Sequence, residues 1–201
     1  MLKPANVSFE AAAAVPVAGL TALQALREGH VQAGQKVLIN GAGGGVGTFA
    51  VQMAKALGAE VTAVCSTRNQ DVARSIGADH VIDYTREDFT TSGRRYDLIL
   101  NVNGRQSIFA CKRALTTDGV YVWVGGSLTA MMQTWVGGRT FRGVMANVNQ
   151  KDLLALKDLL DAGKIAPVID RRYPLAEVPG AIKYLIGGHS SGKVVINIAS
   201  D

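Results

Sequence analysis

Residues 40–47 read Asn-Gly-Ala-Gly-Gly-Gly-Val-Gly, five glycines in eight positions. The apolar run Val37-Leu38-Ile39 precedes them, and Thr48-Phe49-Ala50-Val51-Gln52-Met53-Ala54 follows. Glycine loses more conformational freedom on folding than any other residue, so five in a mere turn would be costly. A buried strand, a tight glycine turn and a helix together make a phosphate-binding unit. The helix start offers unpaired backbone N–H groups and the positive end of a dipole. A diphosphate reaches them only where side chains stand aside, and a further glycine lets the helix pack on the sheet. The strict pattern G-x-G-x-x-G is absent. The best register is Ala42, Gly44 and Gly47, while Gly41, Gly43 and Val46 fail at the last position. The strand before and the helix after carry the assignment.

The same alternation continues along the chain. Ser8 is placed to cap a helix starting at Phe9, Pro16 to bend or restart it, and a second helix runs to about Glu28. Strands are expected at 36–40, 60–65, 80–83, 96–101, 120–124 and 193–198, with 140–145 as a further one. Helices are expected from the glycines to Leu57, then at 71–76, 106–115, 151–162 and 178–186. Helix 151–162 gathers Leu153, Leu154, Leu156, Leu159 and Leu160 on one apolar side. Strands alternating with helices through short turns imply an α/β fold, a Rossmann doubly wound parallel sheet with helices on both faces.

Composition removes several alternatives. At 201 residues, 48% hydrophobic and 18% charged, the chain has material for a packed core. Its net charge is +5, but the cations come as isolated pairs such as Arg94-Arg95 and Arg171-Arg172. That spread fits a solvated surface and argues against nucleic acid. Cys65 and Cys111 make neither a disulfide framework nor a zinc knuckle, and read as buried thiols in a reducing compartment. The alanine-rich stretch 11–18 follows Glu10, lacks the cationic lead of a signal peptide, and continues as a helix through Leu20, Leu23 and Leu26. No apolar run is long enough to span a bilayer, so neither a membrane nor a secretory route is expected and the protein is read as cytoplasmic. His30, His80 and His189 stand apart, without carboxylates or cysteines at metal-ligand spacing, so no metal is assigned. No G-x-S-x-G on a strand-to-helix turn, as a nucleophile elbow requires, is expected, and a Tyr-x-x-x-Lys pair is missing. Residues 187–193, Gly-Gly-His-Ser-Ser-Gly-Lys, match G-x-x-x-x-G-K. A P-loop runs from strand to helix and needs Ser or Thr next; here a helix precedes, a strand follows, and Val194 comes next, so the match is rejected.

The second strand bears on which dinucleotide is bound. An NAD site usually places an acid at this strand's end to hold the ribose hydroxyls. No acid stands between Glu60 and Asp71, and the turn reads Ser66-Thr67-Arg68-Asn69. Hydroxyls and a guanidinium bind a 2′-phosphate that a carboxylate would repel. The turn therefore favours NADP(H) over NAD.

The stretches "VPVAGLTALQAL", "GQKVLINGAGGGVGTFAVQMAKALGAEVTAVCSTRN", "GADHVIDYTREDF", "YDLIL" and "GKVVI" resemble the medium-chain dehydrogenase/reductase superfamily, and within it the zinc-independent quinone oxidoreductases. Gly41, Gly44 and Gly47 fit that family's G-x-x-G-x-x-G turn. The resemblance implies that Gly45, Val46 and Gly47 bind the pyrophosphate and that Ser66, Thr67 or Arg68 faces the 2′-phosphate. It places Tyr84 by the adenosine end and Thr21 toward the nicotinamide half. It lines the nicotinamide channel with Val102, Asn103, Val124 and Gly125. It implies a homodimer paired through an edge strand, here 140–145. It also implies that residues 1–201 form a single dinucleotide-binding domain, with a Rossmann core at about 34–166 and a C-terminal return segment at 167–201. The family's N-terminal catalytic domain would be absent. The sequence departs from the pattern where Asn-Val-Asn-Gly, 101–104, replaces an Asp-containing turn, and in a shortened linker after the fifth strand. The implied function is hydride transfer from NADPH to a quinone or enone. The alternative is a non-enzymatic NADPH-binding or redox-sensing module without a substrate domain. The chain shows no catalytic residue.

Overall fold

The computed structural model describes residues 3–102, 106–125, 140–188 and 190–198. Helices α1 (Phe9–Ala14) and α2 (Pro16–Glu28) come first. Ser8 caps α1, its Oγ accepting from the Ala11 N–H, and Pro16 opens α2, where its missing N–H costs nothing. Then follow β1 (Lys36–Asn40), α3 (Gly45–Ala56), β2 (Glu60–Cys65), α4 (Gln70–Ser75), β3 (His80–Asp83), β4 (Tyr96–Asn101), α5 (Ile108–Arg113) and β5 (Leu115–Val124). The chain ends with β6 (Phe141–Val144), α6 (Gln150–Asp161), β7 (Ile169–Pro174), α7 (Val178–Ile186) and β8 (Lys193–Asn197).

Six strands form one parallel sheet in the order β3-β2-β1-β4-β5-β6. The chain starts in the middle, winds outward to β3, then returns across β1 to β4. The carboxyl ends of β1 and β4 therefore diverge toward helices on opposite faces, leaving the crevice in which such sheets bind ligands. β1 is apolar on both faces because both are covered: Val37 and Ile39 join a core with α2, α3 and α6, and Leu38 joins a second core with Phe89, Cys111 and Phe141. The expected α/β class, the sheet and the helices on both faces are all present.

Three local expectations change. The helix expected at 106–115 spans only Ile108–Arg113, because Leu115 already pairs with Tyr96 and begins β5. Leu154 is 43% exposed, while Leu156 and Leu160 are buried. The polar residue buried on that helix, Asp152, accepts from Arg27 (2.7 Å), Gln24 (2.8 Å) and Asn149 (2.9 Å), and so pins α6 to α2. These partners, Asn149 foremost, hold its carboxyl at about 2. Finally, β7 and β8 form a separate two-stranded parallel sheet. Nothing in the sequence reading anticipated β7.

Candidate functional site

The glycine turn folds tightly at the carboxyl end of β1. Gly41 takes φ +94°, and the Gly41 and Ala42 N–H groups both donate to the Val64 carbonyl at 3.0 Å. The first N–H to close a helical bond is that of Thr48, onto Gly44 O at 2.9 Å. The amides of Gly45, Val46 and Gly47 stand ahead of it, at the positive end of the twelve-residue helix α3.

The glycines have different reasons to be glycine. A methyl group on Gly47 would run into the Gly41 carbonyl and the Ala42 backbone, so Gly47 is fixed by helix-to-strand packing. A methyl on Gly43 would strike the Asn69 amide. Gly44 is different. Its backbone is ordinary extended chain (φ −85°, ψ 174°), and an added Cβ would meet only Gly41 O at 3.7 Å, normal van der Waals contact. Nothing among the described residues requires that side chain to be missing.

The turn after β2 sits beside the glycines. Ser66 is half-buried and Arg68 exposed. The Thr67 hydroxyl donates to Asp83 at the end of β3, which the parallel register sets opposite Cys65. Asp83 is 5% exposed and also accepts from Thr85 N–H (2.9 Å), Thr85 Oγ1 (2.7 Å) and Gln70 (3.1 Å). Those donors, Thr67 first, hold its carboxyl at about 2. The region thus does contain an acid, but one turned inward and fully occupied by its own neighbours. Tyr84 projects into solvent at 57% exposure, its N–H donating to Cys65 O.

On the other side of the glycine turn, a buried polar ladder links β1, β4 and β5. Asn40 Nδ2 donates to Asn101 Oδ1 (3.2 Å) and to Gln106 (2.8 Å), and Asn101 Nδ2 donates to the Tyr121 hydroxyl (2.7 Å). Burial drives the Tyr121 pKa up, so the phenol stays neutral. Sequence reasoning missed this ladder, whose members become neighbours only once the strand order is known. Val102 N–H donates to Asn40 O at 2.9 Å, and Gly125 N–H to Val144 O at 3.3 Å, so Val102, Val124 and Gly125 end their strands along one edge. Thr21, 6% exposed, spends its hydroxyl proton on Val17 O of its own helix. Asn103 lies outside the described residues.

Both cysteines are buried and isolated, their thiols raised to about 11 mainly by burial. Among the described residues, no group of three His, Cys, Asp or Glu side chains is placed to hold a metal ion, and no helix is long and apolar enough to cross a membrane. A cleft of about 480 Å3 opens at the other end of α3, lined by His30, Met53, Leu57 and Leu159 among others. It sits at that helix's negative pole, far from the free amides, and we assign it no ligand.

Residues 76–196 match the family model described as zinc-binding dehydrogenase. The chain is 37% identical over 227 residues to the mouse protein named NAD(P)H oxidoreductase RTN4IP1, mitochondrial, covering 98% of this chain and 57% of that one. It is 33% identical over 199 residues to an NADPH-dependent alkenal/one oxidoreductase, chloroplastic, from Arabidopsis thaliana, covering 97% of this chain and 49% of that protein. The structure of a quinone oxidoreductase from Coxiella burnetii superposes with a TM-score of 0.91 at 33% identity, over 99% of this chain and 64% of that one. The chain thus spans less than two thirds of each of these proteins.

One expectation is overturned by these relatives. The mouse protein and its cattle, human and zebrafish counterparts all carry "mitochondrial" in their names. The cytoplasmic reading rested on the lack of a leader within these residues, which does not discriminate between compartments. Strand order, glycine turn and sequence identity converge on one assignment: the chain belongs to the medium-chain dehydrogenase/reductase family of pyridine-nucleotide oxidoreductases, on its quinone-oxidoreductase-like side.

Proposed function

We propose that this chain is the NADP(H)-binding portion of an oxidoreductase that passes a hydride to a quinone or conjugated enone. Gly44 carries the reading: it lacks a side chain although the protein leaves room for one. That vacancy is accounted for by a ligand approaching the main chain, and the Gly45, Val46 and Gly47 amides behind it suit a diphosphate. The cofactor, when bound, supplies the hydride. The chain supplies a seat for the diphosphate and a rigid strand edge at Val102, Val124 and Gly125 for the nicotinamide ring, to which Asn103, next in sequence to Val102, is also assigned. The buried ladder from Gln106 to Tyr121 stiffens that edge. Thr21 and Tyr84 complete the two ends of the groove.

The 2′-phosphate of NADP(H) falls to Ser66 and Arg68. The Thr67 proton is already committed to Asp83, so that hydroxyl serves as a brace. Asp83 does not oppose the phosphate directly, because its oxygens face Thr67, Thr85 and Gln70. The separate sheet of β7 and β8 supports dividing the chain into a Rossmann core at about 34–166 and a return segment at 167–201. The outer edge of β6 (Phe141–Val144) is the strand through which two copies would pair.

Fluorescence titration with NADPH and NADH tests the reading. Wild type should prefer NADPH, and Arg68→Glu should abolish that preference. Gly44→Val should keep its circular dichroism and melting temperature yet lose dinucleotide affinity. A folded Gly44→Val protein that bound NADPH normally would overturn the proposal.

A further inference from the structure

Arg94-Arg95 and Lys112-Arg113 are separate cation pairs in the sequence. The fold joins them. The Tyr96 N–H donates to Ala114 O at 2.9 Å, and the parallel register sets Tyr96 beside Leu115. One pair ends just before Tyr96 and the other just before Ala114, so the two stand side by side at the amino ends of β4 and β5. All four residues are exposed, and among the described residues none of them forms an ion pair. Arg95 Nη1 reaches only the carbonyls of Gly93 and Arg94, both at 3.4 Å. Neighbouring acids are engaged elsewhere: Asp97 accepts from the Lys36 N–H (2.8 Å) and Thr116 (3.2 Å), and Asp88 caps the turn Phe89–Thr91. Asp118, exposed on β5, offsets one charge. α5 turns Ile108 and Cys111 into the second core, which leaves Phe109, Lys112 and Arg113 on its outer side, one helical turn apart. Phe109 is 77% exposed.

We propose that Phe109, Arg94, Arg95, Lys112 and Arg113 form a docking surface for an anionic phospholipid membrane, which the chain meets peripherally. Four unpaired cations by themselves would suit any polyanion. The aromatic ring one turn from two of them narrows the choice. In an interfacial contact the ring enters the boundary between headgroups and acyl chains while the cations meet the lipid phosphates. A nucleic-acid strand would need a charged groove and successive rings to stack on, and the patch has one exposed ring. Such a contact needs no spanning helix. β4 separates the patch from the crevice at the carboxyl ends of the strands by its own length, roughly 20 Å. The proposal is therefore independent of the dinucleotide reading, and a membrane held at this patch leaves the crevice open.

The test sediments the 201-residue chain with phosphatidylcholine vesicles prepared with and without phosphatidylserine. Wild type should bind only the anionic vesicles and come off as salt rises. Each cation should contribute about five-fold, so Arg94→Gln with Arg95→Gln, or Lys112→Gln with Arg113→Gln, should weaken binding roughly twenty-five-fold. Lys151→Gln with Lys164→Gln removes the same charge from exposed positions elsewhere and should leave binding close to wild type. Phe109→Ser should weaken binding, and Phe109→Trp should keep it and shift its emission to the blue on anionic vesicles alone. Each variant is first shown to be folded by circular dichroism. The assignment is overturned if wild type ignores the anionic vesicles, or if the Lys151 and Lys164 control loses as much as either pair, which would mean net charge alone. It is equally overturned if the Phe109→Trp emission does not move, or if a single-stranded RNA oligonucleotide binds the chain more tightly than the vesicles do.

Discussion

Two glycine-rich stretches, 41–47 and 187–193, meet at the Gly44–Gly192 bridge, and they are built in opposite directions. The first runs from β1 into α3, so its end presents amides that no carbonyl among the described residues is shown to satisfy. The second runs from α7 into β8. Gly188 closes the helix with its N–H on Leu185 O, and Gly192, at φ +112°, tucks under the Val168 carbonyl. Similar composition therefore yields spare amides in one case and a cover in the other. Chain direction decides, because only a helix start leaves N–H groups to spare, whereas a helix end leaves carbonyls.

Substitutions can break or sharpen this contrast. The largest effect should come from Gly47→Ala, whose methyl meets backbone that cannot yield without moving α3 off β1. We expect a loss of about 3 kcal/mol in stability, read from the urea midpoint. Gly192→Ala combines a left-handed backbone with a clash against the Val168 carbonyl. It should cost about 2 kcal/mol. Amide exchange should speed up in β7 and β8 while the six-stranded sheet keeps its protection. If both sheets loosened together, the second stretch would be integral to the core rather than laid over it.

The next effect is one of acidity. Asp83 beside the first stretch and Asp152 on α6 have folded-state pKa values lowered from 3.8 to about 2. A lowered carboxyl stabilises the fold above its ordinary value and stops doing so as pH falls through the folded one. Stability should therefore drop between 3.8 and about 2, and Asp152→Asn should flatten part of that slope in acid titrations followed by circular dichroism. The smallest change belongs to Gly44→Ala, within about 0.5 kcal/mol of wild type in thermal melts. A large destabilisation there would mean that packing, not a ligand, accounts for the bare position.

The sequence announced the main sheet because β1, β2, β4 and β5 are apolar enough to be recognised without partners, and because Gly58 and Gly77 mark where helices stop. β7 escaped notice: Ile169–Pro174 carries Asp170, Arg171 and Arg172, has no fully buried position, and is a strand through its pairing with β8. A strand with no fully buried position leaves no apolar alternation to read. The α5 boundary was lost for a related reason, since Leu115 suits a helix locally and the Tyr96 pairing decides otherwise. At the site, the glycines and the Ser66–Asn69 turn were legible because their chemistry is local. The inward acid Asp83 and the Asn40–Asn101–Tyr121 ladder depend on which strands become neighbours, which no short window contains.

The Gly44–Gly192 bridge joins the first crossover of the chain to its final strand. A contact so distant in sequence closes late, after the local βα units have formed. As the polypeptide leaves the ribosome, the six-stranded sheet can assemble while 187–193 is still unsynthesised. Residues 187–193 therefore reach the glycine turn after it has formed, and a nascent chain stopped before them would leave that turn uncovered.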